Sequence, residues 1–411
     1  MNAKIQITSP LINGKIHLTG SKSISNRLLI LQALSGHKNV LKNLSDSDDT
    51  TVLQNALSSQ DTIIDVGIAG TAMRFLTAYF TLRGSEVILT GASRMKQRPI
   101  KGLVEALCSL GADIEYIERE GFPPLKIKGA NLKGGLLKMK ANVSSQFISA
   151  ILMISPYFEK GLQLKLIGEV LSKPYIEMTL NLMEKQGVPY QWFGDTIYIL
   201  PGHYQNNITR VESDWSSISY IFELVALSNS GFIQLTQVDD HSVQGDQEGM
   251  QYFELLGVDS NIEQGVLTLR KRPGFELPKL LELDCLKTPD LAQTLAATAC
   301  GLGVRLKLSG LKSLPIKETD RLIALKNELE KFGAQVQIIN NEAIDIIPGT
   351  ELLNKSFNFQ TYGDHRMALC LAPLALKAKS VTLNNPLVVN KSYKSYWEDL
   401  KNLSFNIELI T

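Results

Sequence analysis

No apolar stretch of the 411-residue chain approaches the ~20 residues that a membrane-crossing helix needs. Neither sign of charge is in excess, with 42 Lys and Arg against 41 Asp and Glu. No bulk field therefore favours nucleic acid or an anionic membrane, and basic clusters are to be read as local sites. Cysteine is scarce and scattered: Cys108, Cys285, Cys300 and Cys370 show neither redox nor zinc-ligand spacing, so buried free thiols are expected. No two of the five histidines have metal-ligand spacing. A GxxxxGK[ST] loop and a strand-to-helix GxGxxG are both missing, so neither a nucleotide cofactor nor a metal is expected. The opening MNAKIQITSP lacks the charged-then-apolar form of a signal peptide. These absences together point to a cytoplasmic, reduced protein with no nucleic-acid and no membrane partner.

What the chain does have is ordinary soluble composition, 44% apolar and 20% charged, over a length that suggests two or three domains. It also has a hidden repeat. A helix-like segment ends in glycine, and two strand-like runs separated by a turn follow it. The copies are LVEALCSLGADIEYIEREGFPPLKIKG, LNLMEKQGVPYQWFGDTIYILPG, QYFELLGVDSNIEQGVLTLRKRP and LKNELEKFGAQVQIINNEAIDIIPG. Their glycines, Gly111, Gly187, Gly257 and Gly333, lie 70 to 76 residues apart. A weaker first copy places Gly36 one period earlier, and WEDLKNLSFNIELI puts Ser404 one period later. The glycine fits a helix C-cap, where a left-handed residue is needed. Alternation in Gln335–Ile339 and Ala343–Ile347 predicts half-buried antiparallel strands. Six such units are too long for a solenoid and predict small α/β subdomains grouped into two lobes.

Between the copies, polar stretches open helices. The first is Gly20-Ser21-Lys22-Ser23-Ile24-Ser25-Asn26-Arg27, and others begin at Gly70-Thr71, Asn142-Val143-Ser144-Ser145-Gln146, Ser213-Asp214, Pro289-Asp290, Lys317-Glu318 and Gly363-Asp364. A helix N-terminus offers unpaired N–H groups and the positive end of a dipole, and so attracts phosphate or carboxylate. Arg27, Arg74, Arg98, Arg321 and Arg366 stand at or near these junctions, with Lys22, Lys317 and Lys391 as further candidates. Arginine's planar fork binds either anion through two parallel hydrogen bonds. Two lobes with such ends facing one cleft would trap a small polyanion. Asp290 and Glu318 are the candidate general acid/base pair, though each also fits as an acid complementing a helix N-terminus. His365 fits a catalytic or a structural imidazole, and Tyr175 a ring-stacking or a packing role.

The motifs GSKSISNR, AGTAMR, RMKQRPI, SSQF, SKPY, PD, KETDR, GDHRM and NKSY occur in one order along nearly the whole chain. In this the chain resembles the 5-enolpyruvylshikimate-3-phosphate synthase (3-phosphoshikimate 1-carboxyvinyltransferase) family of enolpyruvyl transferases. The resemblance implies a two-lobed, inside-out α/β barrel, each lobe made of three βαβαββ-type units with buried helices. Residues 21–212 would form one lobe, mainly for shikimate 3-phosphate. Residues 1–20 with 213–411 would form the other, completing the phosphoenolpyruvate site. The implied protein is a monomer without cofactor. The implied reaction moves the enolpyruvyl group of phosphoenolpyruvate to the 5-hydroxyl of shikimate 3-phosphate by addition and elimination, in aromatic amino acid biosynthesis.

By the same resemblance, Ser23, Arg27, Ser144, Ser145, Ser172, Tyr175, Asp290 and Lys317 would hold shikimate 3-phosphate. Lys22, Gly70, Arg98, Gln146, Arg321, Arg366 and Lys391 would hold phosphoenolpyruvate. Asp290 would take the 5-hydroxyl proton, and Glu318, with Lys22, would supply and recover the proton at the methylene carbon. The chain departs from the family pattern at Ile68 and Ser313, where asparagine is usual, and at Phe75, where a proline or small residue is common. Competition by glyphosate at the phosphoenolpyruvate site follows from the resemblance, and the departures at Ile68 and Phe75 bear on it. The sister enzymes acting on UDP-N-acetylglucosamine carry a loop cysteine and an early Lys-Asn pair. This chain has no cysteine in Arg94–Pro99 and has Lys22-Ser23. A non-catalytic anion-binding homologue is the remaining alternative.

Overall fold

The computed structural model describes all residues except 38, 39, 142, 143, 171, 206, 350–353 and 411. Its chain forms two compact units, Met1–Thr19 with Glu212–Thr411, and Gly20–Val211. Among the described residues, five four-stranded sheets are built, three in the first unit and two in the second. All five share one topology. Ile63–Asp65 runs parallel to Val87–Thr90, which pairs antiparallel with Leu125–Lys128, which pairs antiparallel with Asp113–Tyr116. The same parallel, antiparallel, antiparallel order recurs from Gly135–Lys140, from Leu280–Asp284, from Leu11–His17 and from Ser356–Phe359. Within the larger unit, the first two strands, Asn2–Ile7 and Leu11–His17, complete two different sheets.

The repeat read from the sequence matches these sheets. Each glycine of the pattern has positive φ, from 72° at Gly36 to 106° at Gly111, and Ser404 adopts the same left-handed conformation at 69°. Each complete copy then supplies an antiparallel strand pair. After Gly36 no such pair follows among the described residues; that segment joins its unit through the Lys42–Arg210 bridge. The first sixth of the repeat is thus carried by the helices Lys22–Ser35 and Asp48–Ser58.

Helices lie inside and strands outside. The strand Leu162–Ile167 alternates buried and exposed residues along its length, as a sheet with one wet face must. The helix Trp215–Leu227 is instead buried at every residue except Ser216. Ala292–Cys300 is buried throughout, as is Phe147–Ile154. Helices apolar on all sides have to be surrounded by other elements. Their first turns are polar, with Ser216 and Ser217, Gln293 and Thr294, and Ser145 and Gln146, and the candidate site is built at such ends; Glu223 and Thr298 are polar residues farther along. Of the cysteines, Cys285, Cys300 and Cys370 are buried free thiols, but Cys108 is exposed on its amphipathic helix. No helix of the described residues is long and apolar enough to cross a membrane.

Candidate active site

In the Gly20–Val211 unit, Arg27 is the focus. It is 2% exposed, one turn into the Lys22–Ser35 helix. Its Nε donates to Thr179 Oγ1 at 2.7 Å, Nη1 to the Ser23 carbonyl at 2.8 Å, and Nη2 to Ser149 Oγ at 3.3 Å and the Tyr175 carbonyl at 3.2 Å. These bonds gather the helices Lys22–Ser35, Ser145–Ile154 and Lys173–Lys185. Every acceptor is neutral. Burial pulls the guanidinium down to about 10, although Tyr175 pushes the other way. Its carbon also lies 5.5 Å from the centroid of the buried Phe75 ring. The departure at Phe75 thus gives Arg27 an aromatic face, worth about 0.5–2 kcal/mol as a cation–π contact.

The other predicted residues of this unit stand around the same helix ends. Lys22 is the first residue of its helix and lies 3.8 Å from Asp49. Ser21 makes no side-chain cap there. Gly70 opens the helix Gly70–Phe80, and Arg74 Nη1 donates to its carbonyl at 2.9 Å. A Cβ at Gly70 would come within 2.3 Å of Arg98 Nη1 and 2.6 Å of Arg74 Nη1. Only glycine lets both guanidinium groups approach the backbone at this point. Ser144 caps the next helix through the Gln146 N–H, and Gln146 Nε2 donates to Thr71 Oγ1 at 3.1 Å. Ser145 begins that helix half-buried; Asn142 and Val143 of the same motif lie outside the described residues. Ser172, in left-handed conformation with φ 55°, precedes the Lys173–Lys185 helix. Tyr175 contributes its carbonyl to Arg27. Ile68 is 53% exposed and cannot make the amide contact expected of asparagine.

In the other unit, four helix ends converge through ion pairs. Arg321 is 1% exposed at the start of Arg321–Lys331. It reaches Asp364 through Nε at 2.7 Å, Asp290 through Nη1 at 3.0 Å and Glu318 through Nη2 at 3.0 Å. Burial pulls this guanidinium down, but Asp364, Glu318 and Asp290 outweigh it, so its proton is held more tightly than usual. Arg366 Nη2 takes the second Asp290 oxygen at 2.8 Å, and Lys391 Nζ takes the second Glu318 oxygen at 2.6 Å. Lys317 is drawn down by burial, with Asp290 opposing. Asp290, Lys317, Glu318, Arg321, Arg366 and Lys391, each expected to bind substrate or move a proton, all gather here. His365 is buried, its Nδ1 3.6 Å from Asp364 Oδ1. Ser313 Oγ is buried without a hydrogen-bond partner among the described residues.

Four residues were missed. Asp364 lies in the GDHRM motif but was given no role; it caps its helix through the Arg366 N–H and pairs with Arg321. Ser216 and Tyr220 extend the Ser213-Asp214 junction one turn inward and reach Arg366. Asp246 belongs to no repeat or motif, and nothing in the sequence around it marks it. Its carboxyl is pushed up to about 7, by burial first and by Asp290 second, against Arg366 and the Ser216 hydrogen bond.

Known proteins resemble this chain over nearly its whole length. The family described as EPSP synthase (3-phosphoshikimate 1-carboxyvinyltransferase) has a sequence model that matches residues 6–59 and 52–400. The 3-phosphoshikimate 1-carboxyvinyltransferase of Bacteroides fragilis (strain YCH46) is 46% identical over 400 residues, 97% of each chain. That of Aliivibrio salmonicida is 38% identical over 428 residues, covering 96% of this chain and 97% of its own. A solved EPSP synthase from Acinetobacter baumannii has a TM-score of 0.79 at 18% identity, over 99% of this chain and 100% of that one, a likeness of fold. On the extent of these matches, the chain belongs to the EPSP synthase (3-phosphoshikimate 1-carboxyvinyltransferase) family.

Proposed function

We propose that the protein transfers the enolpyruvyl group of phosphoenolpyruvate to the 5-hydroxyl of shikimate 3-phosphate and releases inorganic phosphate, in aromatic amino acid biosynthesis. The observation that carries the mechanism is the placement of Asp290 and Glu318 on two nitrogens of one buried guanidinium, Arg321. Two carboxylates are thereby fixed relative to each other, with Arg366 and Lys391 on their outer oxygens. Such pre-organisation is what proton transfer at two neighbouring atoms requires.

In the addition step, Asp290 accepts the 5-hydroxyl proton as that oxygen bonds to C2 of phosphoenolpyruvate. A proton from Glu318 or Lys22 goes to the methylene carbon, which becomes a methyl group. In the elimination step, that methyl group returns a proton to Glu318 and the C2–O bond to phosphate breaks. With both oxygens on cations, Glu318 suits the second, basic role. Lys22, Gly70, Arg98, Gln146, Arg321, Arg366 and Lys391 take phosphoenolpyruvate. Ser23, Arg27, Ser144, Ser145, Ser172, Tyr175, Asp290 and Lys317 take shikimate 3-phosphate. The two units are the two lobes of the enzyme, and a cytoplasmic monomer is the working form.

Phosphate release on mixing the protein with both substrates tests this, beside a reaction with UDP-N-acetylglucosamine as acceptor. Release is expected with the shikimate acceptor alone. Asp290→Ala and Glu318→Ala are each expected to lower kcat by about 10²–10⁴. Release with the sugar nucleotide instead, or turnover undiminished in both variants, would overturn the assignment.

A further inference from the structure

Arg366 meets two kinds of acceptor. Asp290 is charged, but it is shared with Arg321, which holds its other oxygen. Two neutral acceptors come from the Trp215–Leu227 helix: Tyr220 OH accepts from Nη1 at 3.2 Å and Ser216 Oγ from Nη2 at 3.3 Å. Ser216 is the one residue of that helix that is not buried. A serine hydroxyl has a single proton, and here it goes to Asp246 Oδ2 at 2.5 Å. The oxygen lone pairs of Ser216 are thereby turned toward Arg366. Tyr220 is fixed in its turn, 1% exposed and edge-on to Tyr396 with ring centroids 6.5 Å apart.

A guanidinium gripped at both terminal nitrogens loses rotation about its side-chain bonds. Because these two grips are neutral, they orient the cation without neutralising it. A carboxylate in place of Tyr220 would orient it equally well but would compete with an incoming anion. Arg27 in the other unit is held by the same device, with Thr179 and Ser149 hydroxyls and two carbonyls.

We infer that Ser216 and Tyr220 are positioning residues for Arg366, presetting its fork for the phosphoenolpyruvate anion; this rests on Arg366 being a phosphoenolpyruvate ligand. Neither residue touches the reacting atoms. They act through the geometry of one cation.

The test is steady-state kinetics on Tyr220→Phe, Ser216→Ala and Ser216→Thr, with Tyr220→Phe repeated in an Arg366→Lys background. Tyr220→Phe keeps the buried ring and removes only the hydroxyl. We expect it to raise the KM for phosphoenolpyruvate about tenfold, as loss of one hydrogen bond to a charged group would. The KM for shikimate 3-phosphate, kcat and the thermal midpoint should change little. Ser216→Ala should behave alike, and Ser216→Thr should restore the parent KM. In the Arg366→Lys background Tyr220→Phe should add nothing, since its target is gone. An unchanged KM in Tyr220→Phe, or the same rise in both backgrounds, would overturn the inference while leaving Arg366 as a ligand. If Arg366→Lys itself leaves the KM for phosphoenolpyruvate unchanged, the inference falls with the reading beneath it.

Discussion

Arg27 and Arg321 are equally buried, at 2% and 1% exposure, and each ties together the helix ends of its own unit. Their proton affinities move in opposite directions, down to about 10 for Arg27 and upward for Arg321. The difference lies wholly in the acceptors. Arg27 is held by hydroxyls and carbonyls, whereas Arg321 is held by Asp290, Glu318 and Asp364. One unit thus keeps a buried cation that is oriented but not neutralised, suited to waiting for an anion. The other spends its cation on fixing carboxylates, among them the two proposed for the proton chemistry. Repetition of one βαβαββ unit supplied the same scaffold twice, and the residues at the helix N-termini gave each copy its own electrostatics.

Removing the two cations should therefore have opposite consequences for stability. Arg321→Met leaves three carboxylates facing one another in a buried site, and is expected to cost about 3–5 kcal/mol in urea unfolding. Activity should vanish with it. In Arg27→Met the acceptors are neutral, and Thr179 still bonds Ser149 at 2.8 Å and the Tyr175 carbonyl at 2.9 Å. Burial pulls Arg27 down to about 10, which corresponds to about 3 kcal/mol of unfavourable desolvation. Arg27→Met should accordingly leave stability unchanged or raise it by up to about that amount. The same variant should weaken shikimate 3-phosphate binding about 100-fold by calorimetry, the value of a charge-assisted bidentate contact. Equal destabilisation by the two substitutions would erase the distinction between the units.

Much of this was legible in the sequence because it depends on local chemistry. A residue that must take positive φ at a helix end selects glycine, so the repeat could be read off Gly36, Gly111, Gly187, Gly257 and Gly333, and even Ser404 keeps the conformation. Arginines that open helices could be read the same way, and the resemblance assigned them substrates. What stayed hidden depends on tertiary proximity. Asp246 meets Ser216 across thirty residues of chain, and Thr179 meets Arg27 across 152. Cys108 was expected to be buried from its apolar neighbours, but its helix is amphipathic and that position lies on the wet face. The strand pair expected after Gly36 has no counterpart among the described residues, because periodicity marks where a repeat begins and not how much of it survives.

The comparison sharpens at Glu223, the acidic counterpart of Arg27. It lies on the Trp215–Leu227 helix, fully buried, and neither carboxylate oxygen has a hydrogen-bond partner among the described residues. Arg27 without a counter-charge stays a cation because its affinity for the proton is so high. Glu223 without one is driven neutral, its proton held far above the usual 4.5 by burial. Cys370 and Tyr396, the titratable groups that feel it, are pushed up by burial as well and stay neutral beside it. In the unfolded chain Glu223 ionises as pH passes 4.5; in the folded chain it does not. The folded state then binds the extra proton, so this residue's contribution to stability is full below pH 4.5 and declines as pH rises toward the elevated folded value. Glu223→Gln removes the titration while keeping the shape, and should flatten the fall in thermal midpoint between pH 5 and 8. Glu223→Met, which also removes the unpartnered oxygens, should add about 1–3 kcal/mol at pH 8. Parallel pH profiles for the parent and the Gln variant would mean that Glu223 is ionised and paired in solution, and that of these two residues Arg27 alone is held by neutral partners.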